Sequence, residues 1–279
     1  MTGRITGRTR IIAHLGVPTE SFRAPMIYNP WFEAAGVDVV VVPMGCEAAD
    51  FPVFLAHVAR LRNFAGALIT MPHKVVAAAL VDTAAPAVLA CGACNAVRRG
   101  ADGGLVGDMF DGAGFVRGME RRGHAAKGAR ALVVGAGGVG SAIAASLAQA
   151  GAAALGLHDV DTARAEALAD RLRRQFPGTE VSTGSNDPAG WPVVVNATPL
   201  GMGPRDPLPV ATDRIAPGTF VGEVVLADDT PLLAAARARG CPTQAGTEML
   251  FEQIPAYLDF FGLPSTDADT LRRLARLSG

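Results

Sequence analysis

Apolar residues along this chain fall into short β-branched runs separated by longer amphipathic stretches. Residues 11–15, 37–42 and 67–70 read as three strands buried on both faces, each four to six residues long by sequence. A turn region holding Pro18, Ser21 and Pro25 precedes a helix to Ala35 that Gly36 stops, and Asp50 is an N-cap candidate for a helix reaching about Asn63. Pro72 opens a further helix with Lys74 in its first turn. A polar, Gly-rich stretch over 98–107 predicts a hairpin, and Asp111 leads a helix toward Arg122. Residues 123–128 read as a linker, and a second alternation begins at the strand 129–134. It continues with a helix over 139–149, a strand over 155–159, a helix over 162–175, strands over 192–196 and 218–225, and a helix over 231–239. The rest, from Thr247 to Leu277, reads as helical with a break near 261–264. Strand–helix alternation throughout predicts an α/β chain.

Composition narrows the class. With 279 residues the chain is long enough for two cores, 49% of it is apolar, and 25 basic residues stand against 26 acidic ones. That balance argues against nucleic-acid binding, which needs a basic face. No apolar run is long enough to span a bilayer, and Arg4, Arg8 and Arg10 are not followed by a signal-peptide core, so the expectation is a cytoplasmic enzyme without a membrane partner. Cys91 and Cys94 have ligand-like spacing, but Cys46 and Cys241 supply no second pair, so no metal site is expected and the thiols read as small buried side chains. A monomer or a homodimer fits equally.

The strongest chemical signal is Gly135-Ala136-Gly137-Gly138-Val139-Gly140, placed after a predicted strand and opening a helix. In that setting Gly135 permits the turn, Gly137 lets backbone approach a pyrophosphate, and Gly140 lets helix pack on strand. The helix N-terminus then offers N–H groups to the anion. Asp159 ends the next strand, where a carboxylate accepts hydrogen bonds from a ribose 2′-hydroxyl and repels a 2′-phosphate; NAD is therefore expected over NADP. The plainer alternative is that Asp159 or Asp161 only caps the helix at Thr162. Lys74 is one of only two lysines in the chain, and it follows a strand's carboxyl end, where α/β sites collect. Lysine can exchange a proton when desolvated and arginine cannot, so Lys74 is the acid/base candidate, with a solvated surface lysine as the alternative. Asp111 is either its carboxylate partner or a helix cap.

These segments together resemble the shikimate dehydrogenase family. Leu68-Ile69-Thr70-Met71-Pro72-His73-Lys74 resembles the family's Asn-Val-Thr-x-Pro-x-Lys, and Gly92-Ala93-Cys94-Asn95-Ala96 its Gly-Ala-x-Asn-Thr. Residues 107–112 are similar to Gly-x-Asn-Thr-Asp-Gly, 196–202 to Asn-Ala-Thr-x-x-Gly-Met, and 246–253 to Gly-x-x-Met-Leu-x-x-Gln. The resemblance implies a substrate-binding α/β domain over 1–112 and 246–279, and a Rossmann-type, doubly wound parallel-sheet NAD(P) domain over 113–245. It implies interconversion of 3-dehydroshikimate and shikimate, as in aromatic amino acid biosynthesis, with Lys74 and Asp111 as the catalytic pair. Ser21, Arg23, Thr70, Asn95 and Gln253 would bind a small carboxylic acid. Residues 135–140, Asp159, Asn196, Ala197, Thr198, Met202 and Gly246 would meet the cofactor.

Departures from the pattern bear on the substrate. Arg23 replaces the second serine of Ser-x-Ser, Leu68 the substrate-binding asparagine, and Met109 the asparagine ahead of the aspartate. Leu226, in the segment ending at Asp228, replaces a tyrosine. Each lost hydrogen bond costs roughly 0.5–1.5 kcal/mol, so two would cost about tenfold to several hundredfold against shikimate. Arg23 can grip a carboxylate in two-point fashion. The expected substrate is thus shikimate or, alternatively, quinate or a less hydroxylated acid; a non-catalytic cofactor-binding regulator is the remaining alternative.

Overall fold

A computed structural model describes residues 5–203, 205–227 and 229–277; Arg4 and Asp228 lie outside the described residues. The chain forms two compact units. The first comprises Met1–Leu89, Ala93–Phe110 and Ile254–Gly279, and the second Ala90–Gly92 and Asp111–Gln253.

In the first unit β1 (Arg10–Gly16), α1 (Pro25–Ala35), β2 (Val39–Gly45), α2 (Phe51–Val58) and β3 (Phe64–Ile69) alternate, and α3 (Lys74–Leu80) follows. Next come β4 (Thr83–Ala84), α4 (Pro86–Cys91), β5 (Ala96–Arg99) and β6 (Leu105–Asp108). The sheet order is β2-β1-β3-β5-β6-β4. β1 pairs in parallel with β2 and β3, and β5 and β6 form the predicted antiparallel hairpin, of which β5 pairs antiparallel with β3. β2 starts at Val39 rather than Val37, because α1 ends on a left-handed Gly36 and the Val37 N–H is used closing it on Phe32 O. α2 stops at Val58, short of the predicted end, and Asp50 gives it no side-chain cap. Asn63 instead serves the sheet: its amide donates to Thr9 O and its carbonyl accepts from Ile11 N–H.

The second unit holds α5 (Asp111–Arg121), β7 (Arg130–Val134), α6 (Gly138–Gln149), β8 (Ala154–His158), α7 (Thr162–Gln175) and β9 (Glu180–Thr183). Its second half is β10 (Val193–Asn196), β11 (Phe220–Glu223), α8 (Pro231–Ala238) and β12 (Thr243–Gln244). Its sheet is parallel throughout, in the order β12-β11-β10-β7-β8-β9. That is the doubly wound order, with its reversal between β7 and β10, where such sheets bind ligands beyond their carboxyl ends. Leu132, Val134, Val194, Val221, Leu232 and Leu233 build one of its buried clusters. α9 (Gly246–Phe260) passes from the second unit to the first, and α10 (Ala268–Leu274) packs on α1, with Arg276 N–H donating to Met26 O. Among the described residues no helix is long and apolar enough to cross a membrane.

Candidate active site

In the second unit the glycine loop turns out of β7 at Gly135, whose φ of 104° is closed to most side chains. A Cβ on Gly140 would run into the Gly135 carbonyl oxygen, while one on Gly137 would meet nothing within 4 Å. The loop is therefore tight where the helix packs and open at its middle. α6 starts there without a side-chain cap, which leaves its first N–H groups for an anion. Asp159 stands at the carboxyl end of β8 and faces the loop: its Oδ2 accepts from Ala136 N–H at 2.7 Å and its Oδ1 from Asp161 N–H at 2.9 Å. Asp161, not Asp159, caps α7 by accepting from Arg164 N–H. These features fit a dinucleotide: a bare backbone cradle, free helix N–H groups and a half-buried carboxylate one strand over.

Residues 196–202 close the same end of the sheet. Ala197 abuts Gly135 and Gly140. Asn196 Oδ1 accepts from the Thr198 hydroxyl and N–H, and its Nδ2 donates to Leu200 O and Glu223 Oε1. Glu223 is fully buried and also accepts from Val224 N–H, Val225 N–H and the Thr230 hydroxyl. Burial pushes its carboxyl pKa up against those four donors. Thr230 in turn caps α8. Gly246 is pressed against the Val224–Val225 backbone, and Met202 is 60% exposed. Asp111 heads α5 and is buried; Gln253, on α9, is buried with Oε1 lacking a hydrogen-bond partner among the described residues.

The first unit gathers Thr70, Lys74 and Asn95 at the carboxyl end of β3. Thr70 N–H donates to Leu15 O, the Lys74 carbonyl accepts from Cys94 N–H, and the Asn95 carbonyl accepts from Ile69 N–H. Asn95 is fully buried; its Oδ1 holds the Phe110 N–H just ahead of Asp111, and its Nδ2 has no partner among the described residues. Ser21 and Arg23 come from the segment leaving β1, tied to the same end through Val17 N–H on Met71 O. The Ser21 hydroxyl donates to Pro18 O, and half-buried Arg23 makes no ion pair among the described residues. Leu68 and Met109 are buried, and Leu226 is 39% exposed. All four cysteines are buried thiols, and Cys94 Sγ donates to Ala96 O.

The model of the shikimate dehydrogenase substrate binding domain matches residues 15–97. A shikimate dehydrogenase (NADP(+)) of Acidiphilium cryptum is 36% identical over 272 residues, covering 96% of each chain. This chain belongs to the shikimate dehydrogenase family. Among solved structures, a quinate dehydrogenase from Corynebacterium glutamicum in complex with NAD is 31% identical. The match covers 95% of this chain and 98% of that one, with a TM-score of 0.84. The shikimate 5-dehydrogenase of Listeria monocytogenes in complex with shikimate and NAD is 25% identical, covers 98% and 99%, and has a TM-score of 0.88.

For a shikimate dehydrogenase family member, the sequence reasoning missed two buried polar residues. His14 disappears into the apolar run of β1, where one polar letter among aliphatic ones was the available signal. Glu223, one residue inside the predicted strand 218–225, is the residue on which β10, β11 and α8 converge.

Proposed function

We propose that this chain is an NAD-dependent dehydrogenase that interconverts a cyclic hydroxy acid with its ketone, and that this acid carries fewer hydroxyls than shikimate. The observation that carries the reading is the open glycine loop with Asp159 fastened beside it. A carboxylate there favours a free 2′-hydroxyl over a 2′-phosphate. When bound, NAD supplies the hydride acceptor.

The protein handles the proton and the orientation. Lys74 takes the hydroxyl proton during oxidation and returns it during reduction, and Asp111 is the second ionisable group of the pair. Asn95 Nδ2 and Gln253 Oε1, a donor and an acceptor both lacking partners among the described residues, are suited to substrate oxygens and hydroxyls. Thr70 adds a third polar contact. The Ser21 proton already goes to Pro18 O, so Arg23 is the donor for the carboxylate. Leu68 and Met109, buried and apolar, offer nothing to further ring hydroxyls, and this supports the less hydroxylated acid. We place the enzyme in the cytoplasm on the same reading.

Quinate is the second reading, favoured by the 31% identity to the quinate dehydrogenase. Turnover assays with NAD and NADP over shikimate, quinate and simpler alicyclic hydroxy acids decide the matter. NAD-dependent activity with the highest kcat/KM on a simpler acid is expected. Strong, selective activity on shikimate with NADP would sink the proposal.

A further inference from the structure

The first unit carries a histidine that none of these roles uses. His14 is 8% exposed and sits on β1 between fully buried Ala13 and Leu15. Its register neighbours are Pro43 on β2 and Leu68 on β3, whose side chains offer no hydrogen bond. Phe22 stacks on the ring with centroids 4.0 Å apart. Nδ1 is buried and has no hydrogen-bond partner among the described residues.

Facing residues on parallel strands share a side of the sheet, as do residues two apart along a strand, so His14, Gly16, Leu68 and Thr70 lie on one face. Packing there is close, since a Cβ on Gly16 would run into the Thr70 methyl. Lys74 is near enough to act on the imidazole: burial first and the Lys74 charge second push His14 down to about 3. The ring is therefore neutral at ordinary pH, with one N–H and one lone pair. Buried polar atoms are nearly always paired, and a polar group left unpaired within reach of an acid/base lysine marks a place for a ligand atom. A half-turn about χ2 exchanges Nδ1 with Cδ2, so the ring can turn that nitrogen over without moving the backbone.

We propose that His14 is a specificity-determining residue whose neutral imidazole hydrogen-bonds an oxygen of the hydroxy acid beside Lys74. The proposal rests on the dehydrogenase reading above. Its test is steady-state kinetics of the full chain at saturating NAD, for wild type, His14→Val and His14→Asn, over the same acids and their deoxy analogues. Valine suits a buried parallel strand, and an unchanged circular dichroism spectrum with a single cooperative unfolding transition reports an intact fold.

His14→Val should raise KM for the best acid about tenfold or more and abolish its preference over the deoxy analogue, with KM for NAD within about twofold. His14→Asn should recover part of the loss. A KM within about twofold of wild type in both variants, with the preference intact, overturns the proposal. If the valine variant does not fold, the ¹⁵N resonances of the wild-type His14 ring decide: they move on adding the best acid with NAD if the contact forms, and a static ring overturns it. A wild-type chain inactive on every acid with either cofactor refutes the dehydrogenase reading instead, and the role of His14 falls with it.

Discussion

At the carboxyl ends of the second unit's central strands the polar side chains satisfy one another, whereas in the first unit they are left with atoms to spare. Asp159 fastens the glycine loop, and Glu223 gathers Asn196, Thr230 and two backbone N–H groups. At the matching edge of the first unit's sheet, His14 Nδ1 on β1 and Asn95 Nδ2 just ahead of β5 have no partner among the described residues; the atoms so left in the second unit, Gln244 Oε1 and Gln253 Oε1, belong to β12 and α9. A network complete without ligand makes a rigid frame for a shared cofactor. An incomplete one leaves selectivity to the ligand that completes it, because a polar group built to be paired rejects an analogue that cannot pair it. On the proposed function, substrate choice belongs to the first unit and cofactor choice to the second.

The sharpest break of that division is Lys74→Met. It should lower kcat about 10²- to 10⁴-fold, the range for loss of a positioned acid/base, while the Kd for NAD from fluorescence titration barely moves. A kcat close to wild type would remove Lys74 from the chemistry. Asp159→Asn tests the other side. Losing a carboxylate near the ribose should raise the ratio of kcat/KM for NADP to that for NAD about ten- to a hundredfold, with the order of preference among acids unchanged. An unaltered ratio would mean that Asp159 serves only as a brace for the Ala136 N–H.

Smaller effects separate the two kinds of glycine in the loop. Gly140→Ala drives a methyl into the Gly135 carbonyl and should cost about 1–3 kcal/mol of stability, seen as a lower urea midpoint. Gly137→Ala meets open space, so the midpoint should hold while KM for NAD rises. Equal midpoints for the two variants would contradict the packing described for Gly140.

The second unit was the more legible of the two in sequence, and the reason is local. A glycine loop between a strand and a helix, and a carboxylate after the next strand, each declare themselves within a few residues. The exceptions are β9, whose Glu-Val-Ser-Thr holds one aliphatic residue because it is an edge strand paired to β8 alone, and the two-residue edge strand β12. In the first unit β4 and α4 escaped notice, being two and six residues long. Its site is assembled from β1, β3 and β5, so the neighbours of Asn95 or His14 are fixed by register, which no short window contains. His14 also broke no pattern, since one polar residue does not spoil an apolar strand.

Two of the buried ionisable groups, His14 and Glu223, give the smallest and most direct comparison, through the pH dependence of stability. His14 has its pKa lowered from 6.5 to about 3, so below pH 6.5 the unfolded chain takes up a proton that the folded chain refuses. Stability due to His14 is therefore lost as pH falls through that window, by up to about 1.4 kcal/mol per pH unit. Glu223 is shifted the opposite way: its folded pKa is raised above 4.5, so the folded chain keeps a proton that the unfolded chain releases, and stability falls as pH rises above 4.5. In wild type the two slopes oppose each other above pH 4.5, from there to the raised pKa of Glu223 and on the acid side of pH 6.5. Urea unfolding across that range should show stability rising less steeply with pH in His14→Val than in wild type, and more steeply in Glu223→Gln. The glutamine should also lower stability at every pH, because its amide cannot accept all four of the bonds Glu223 now holds. Parallel pH profiles for all three proteins would mean that neither group changes its charge state on folding, and the contrast between a completed and an uncompleted strand end would lose its electrostatic support.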